Sequence, residues 1–231
     1  MCRSVNVNHG WFDSDTAPPI ERSTDFAVLT KRGDCLASIE LGVRHDPNLR
    51  FIPWQDIIAK APEATRNLPN PFELPVSISH AFCKSEEPRR ADIKIVPDAV
   101  FGLEYTTQGH KTYCFFALDA DRNTTVARSN LRQTSYLKKI LGYRAIVSQS
   151  IYRSHHGLPN LLVLNVITNE HHMKSVMSLL DEVTEKKGSP MFLLKTLSTL
   201  GDFRTAPAPS THILTAPWRR AGCDDFYINT R

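Results

Sequence analysis

The chain has 231 residues, 41% of them hydrophobic, enough for one sizeable core and at most a small appendage. Its formal charge is +4 and its pI about 8.8, a mildly basic balance that suits an anionic partner without requiring one. No apolar run approaches the about 18 residues of a membrane span, the first residues lack an apolar signal-peptide core, and Cys2, Cys35, Cys83, Cys114 and Cys223 include no C-x-x-C pair. A membrane span, a secretory leader, a disulfide framework and a zinc knuckle are therefore not expected, and a reducing, cytoplasmic setting is.

Residues 1–34 show no clear period; Phe26 to Thr30 reads as a short strand or a helix turn. Leu36, Ile39 and Val43 fall at helical spacing, and HDPNLRFIPW breaks that pattern. WQDIIAKAPEATRN predicts a short helix with Ile57 and Ile58 inward, ended or kinked at Pro62. PVSISHAF alternates as a strand, and KSEEPRRAD reads as a solvated turn.

From Ile93 the pattern sharpens. VFGLEY and TYCFFAL are rich in β-branched and aromatic residues and predict an antiparallel hairpin. A helix is expected over Thr124 to Leu141, with Leu131, Ser135, Leu137, Ile140 and Leu141 near one face and Gly142 as its stop. SHHGLPN reads as a loop. The continuous apolar run Leu161 to Thr168 predicts a strand buried on both faces. Asn169 can cap a helix over Glu170 to Lys187, whose inner stripe is Val176, Leu179, Leu180 and Val183. MFLLKT predicts a further strand, and TAPAPSTH a linker-like loop before the end of the chain. The expected organisation is an N-terminal segment, 1–34, an α/β domain with a mixed central sheet flanked by helices, 35–205, and a C-terminal tail, 206–231.

Three carboxylates stand at the ends of the hairpin strands. Side chains alternate along a strand, so Asp119 and Asp121 share a side, and hairpin pairing brings Asp98 beside Asp119. Hard oxygen ligands so grouped suit Mg²⁺ or Mn²⁺; the same acids can instead pair with basic neighbours, Arg122 being the first candidate. Between Arg122 and Arg153 lie Arg128, Arg132, Lys138, Lys139 and Arg144, with tyrosines interleaved and no Asp or Glu. Seven bases without an acid point to phosphate contacts more than to a solvated helix face. His155-His156 and His171-His172 read as loop and cap histidines, because adjacent histidines point apart and no cysteine is spaced near them. No G-x-S-x-G or P-loop stretch occurs.

These motifs resemble the PD-(D/E)xK nuclease superfamily. Pro97 and Asp98 stand for its first acid, and Asp119-Ala120-Asp121 occupies its D/E-x-K triplet with Asp in place of Lys. Lys138 or Arg132 on the following helix can supply the missing cation. VPDAVFGLEY, FFALDADRNT and NLRQTSYLKKILGY also resemble the replication-relaxation family of plasmid and mobile-element proteins, over roughly residues 35 to 200. That likeness implies a restriction-endonuclease-like core and a role in replication or relaxation of DNA. It implies duplex DNA as partner, bound with weak sequence preference, and replication or relaxase proteins as further partners. The expected function is DNA binding through Arg122, Arg128, Arg132, Lys138, Lys139 and Arg144, without efficient catalysis. The alternative is a Mg²⁺-dependent endonuclease with Asp98, Asp119 and Asp121 as metal ligands and Lys138 as the catalytic cation.

Overall fold

The computed structural model of the protein describes residues 24–81, 87–121, 135–167, 169–197 and 212–230. Of the expected basic surface, Arg122, Arg128 and Arg132 lie outside the described residues, as do the first part of the expected helix over Thr124 to Leu141 and nearly all of the TAPAPSTH loop.

The chain is mixed α/β. Helix α1 (Thr24–Arg44) leads into β1 (Leu49–Ile52), α2 (Trp54–Lys60) and α3 (Glu63–Arg66). The hairpin of β2 (Leu74–His80) and β3 (Arg89–Ile95) precedes the hairpin of β4 (Ala99–Thr107) and β5 (His110–Ala120). Then come α4 (Tyr136–Ser148), α5 (Ile151–His156), β6 (Leu162–Ile167), α6 (Glu170–Val183) and β7 (Phe192–Thr196). The chain closes with α7 (His212–Thr215), β8 (Trp218–Arg220) and β9 (Cys223–Phe226).

Seven strands form one mixed sheet in the order β1-β4-β5-β6-β7-β8-β9; β2 and β3 pair separately. β5, β6 and β7 run parallel, while the outer pairs are antiparallel. The expected β4–β5 hairpin forms, with Ala99 opposite Leu118 and Tyr105 opposite Thr112. The apolar run at Leu161 becomes β6, the central strand.

Period-two alternation sorts the sheet's side chains between two layers. Phe101, Leu103, Cys114, Phe116, Leu118, Leu164, Val166 and Leu193 pack on one face with Ile39 of α1, Leu214 of α7 and Trp218. Val100, Phe115, Ala117, Val163, Phe192 and Leu194 pack on the other with α4, α6 and the β2–β3 hairpin. Two hydrophobic faces, each covered by helices, account for the layered architecture.

Several elements differ from the sequence reading. RRADIKI is a strand rather than part of a turn: only Ile93 and Ile95 of β3 are buried, so its apolar signal is two residues long. Gly142 does not end α4 but lies inside it, where a Cβ would sit 2.6 Å from Ile95 Cδ1; it lets the helix approach the β2–β3 hairpin closely. α6 ends at Val183, and Glu185 and Lys186 turn back with positive φ, so Lys186 and Lys187 follow the helix. His155 and His156 belong to α5 rather than a loop, and both Nε2 atoms lie 2.9 Å from the Pro71 carbonyl. The boundary expected at residue 34 falls inside α1. The described part of the expected tail is integral to the sheet: Leu194 pairs with Arg219, Trp218 is fully buried, and its indole N–H donates to the Ile213 carbonyl.

Among the described residues, Cys35, Cys114 and Cys223 form no disulfide, and no helix is long and apolar enough to cross a membrane.

Candidate functional site

The site lies where the parallel strands β5 and β6 end, on the sheet face covered by α4 and α6. The register that sets Ala99 against Leu118 puts Asp98 next to Asp119, and Asp119 faces Asn165 of β6. Three polar side chains thus stand side by side on three neighbouring strands. Asp121 follows two residues on, its N–H donating to the Val166 carbonyl at 2.8 Å.

α4 supplies the lid of this cluster. Ser135 caps the helix by accepting from the Lys138 N–H at 3.3 Å. The stripe that α4 turns to the sheet includes Tyr136, Ile140 and Tyr143, all buried, and Lys139 lies on that stripe. Its ammonium Nζ reaches Asp119 Oδ1 at 2.9 Å, with the lysine side chain 31% exposed and the aspartate 4%. The Tyr136 hydroxyl donates to Asn165 Oδ1 at 3.0 Å. The Tyr143 hydroxyl lies close enough to Asp119 to act as its hydrogen-bond donor, although neither it nor Asp119 Oδ2 makes a hydrogen bond of regular geometry. α6 contributes His172, whose Nε2 sits 2.9 Å from Asp121 Oδ2, at ion-pair distance but off the hydrogen-bond line. Asn169 fixes that end of α6 by accepting from the His172 N–H at 2.8 Å.

Electrostatics follow from this burial. Desolvation pushes the Asp119 carboxyl up, against the pull of Lys139. Burial also works against the Lys139 charge, but Asp119, Asp98 and Asp121 together outweigh it and hold the ammonium protonated to higher pH than usual. Both tyrosines are pushed far up, first by burial and then by the neighbouring aspartates, so they remain neutral phenols able to donate. Among the described residues, the Lys139 ammonium pairs directly with Asp119, while Asp121 faces His172.

The lysine at the acids is Lys139, which the sequence reading assigned to DNA, and not Lys138, which it assigned to catalysis. Lys138 is one position along and turned by about 100° around the helix. A signal for this choice existed: Lys139 is three residues after Tyr136 and four before Tyr143, the spacing of an inward stripe. His172 reads as a cap histidine in the sequence; it is near the helix cap and also faces Asp121. Arg122, the first candidate to neutralise the acids, lies outside the described residues; among those described, Lys139 pairs with Asp119.

The described basic residues of α4 do not form one face. Lys139 turns inward, Arg144 donates to the Val183 carbonyl at 2.7 Å, and Lys138 is partly exposed in a third direction. Beyond α4, Arg153 is exposed on α5.

A divalent cation does not fit the acids as they stand. Asp98 Oδ2 accepts the Ala120 N–H at 2.8 Å, Asp119 Oδ1 is taken by Lys139, and Asp121 faces His172. Among the described residues, no group of three or more His, Cys, Asp or Glu side chains is arranged to hold a metal ion. Comparison of the chain with protein-family models, with curated proteins and with solved structures finds no match.

Proposed function

We propose that this chain is a DNA-binding protein of the replication-relaxation type, acting on plasmid or mobile-element DNA. In this reading its restriction-endonuclease-like acid centre is a rigid scaffold and not an efficient catalyst. The observation that carries the proposal is the Lys139 ammonium 2.9 Å from Asp119 Oδ1, which occupies the acid that metal-dependent hydrolysis needs as a ligand. Support for DNA as the anionic partner comes from the net charge of +4 and from the acid-free run of seven bases between Arg122 and Arg153.

Duplex DNA binding measured by fluorescence anisotropy at two salt concentrations tests this reading. Affinity falls with salt, and neutralising one phosphate-binding side chain lowers the salt slope by roughly one unit. Reversing Arg128 and Arg132 together to Glu removes most of the binding. Salt-independent binding, or affinity unchanged in the double variant, contradicts the proposal.

One observation favours the alternative of a Mg²⁺-dependent endonuclease. Lys139 brings a lysine to a strand whose Asp119-Ala120-Asp121 triplet lacks one. A plasmid-nicking assay with Mg²⁺ or Mn²⁺ decides between the two. The scaffold reading expects no nicking, whereas nicking that disappears in Asp119→Ala establishes the enzyme.

A further inference from the structure

We draw no further inference here: the strongest candidate, the cleft of about 490 Å³ beside β1 at the outer edge of the seven-stranded sheet, lined by Val43, Leu49, Phe51 and Pro53 and by the ion-paired Glu40 and Arg44, is an apolar groove, and nothing in the structure shows what covers it.

Discussion

The β4–β5 hairpin carries buried acids near both of its ends, and the two ends treat their carboxylates in opposite ways. At one end Glu104 is 4% exposed, yet both its oxygens are held: Arg50 reaches Oε2 at 2.8 Å and Lys111 reaches Oε1 at 2.9 Å. Hydrogen bonds from Arg50 and Lys111 pull its pKa down to about 2. The basic partners are more than half exposed and keep their own hydration. At the other end, Asp119 beside Asp98 lies under α4, pairs among the described residues with Lys139, itself mostly buried, and has its carboxyl pushed up by desolvation. The contrast is between an acid whose hydrogen bonds to two hydrated cations outweigh desolvation and one whose desolvation outweighs the pull of its lysine. It also separates a structural acid, satisfied on every side, from one left in tension. Tension of that kind is what a binding or catalytic centre retains, and what a merely structural pair eliminates.

Four changes break or sharpen this comparison, in falling order of effect. Lys139→Met leaves Asp119 buried and uncompensated and lowers stability in denaturant unfolding by about 3 kcal/mol. Asp119→Leu costs less, about 1–2 kcal/mol, because Lys139 retains Asp98, Asp121 and a path to water. An equal or larger loss in the second variant means that the aspartate, not the lysine, carries the pair.

The third change concerns pH. Burial depresses His156 to about 4 from its usual 6.5, so it is a neutral donor to the Pro71 carbonyl. A base with a depressed folded pKa contributes stability above its unfolded value and loses it as protons bind the unfolded chain. Stability therefore falls between pH 6.5 and about 4, and the stability difference between the unsubstituted protein and His156→Gln narrows over that window. A constant difference rules out the buried neutral histidine. The fourth and smallest is Glu104→Gln. Its loss at neutral pH is below about 1 kcal/mol, since its partners are exposed. The acid's depressed pKa places that contribution above 4.5, fading as pH falls towards 2, and acid titration of both proteins checks it.

The aspartate end of this contrast was legible in the residues, and the Glu104 end was not. VFGLEY and TYCFFAL announce the β4–β5 hairpin, whose pairing sets Asp98 beside Asp119, and period-two alternation puts Asp121 on the same side as Asp119. The run at Leu161 announces the central strand, and Asn169 the start of α6. What the sequence withheld is of three kinds. Short elements such as β3, β8 and β9 are stabilised by their neighbours in the sheet rather than by their own apolar residues, so their pattern is weak. Gly142 looks like a stop signal and instead marks a close approach, a distinction that depends on Ile95 lying 2.6 Å from where a Cβ would stand. Lys138 and Lys139 are adjacent, and only the phase of α4, set by where Ser135 caps it, decides which of them faces Asp119. His172 was hidden for a related reason: α6 begins where β6 ends, and that junction carries its ring to Asp121.

The central claim is that the acid centre and Lys139 form one unit. A double-mutant cycle in denaturant unfolding, with Asp119→Leu, Lys139→Met and the pair, measures their coupling most directly. A coupling of about 2–3 kcal/mol, with the double variant more stable than Lys139→Met alone, is the predicted result. Additive losses, with a double variant weaker than either single one, contradict the account.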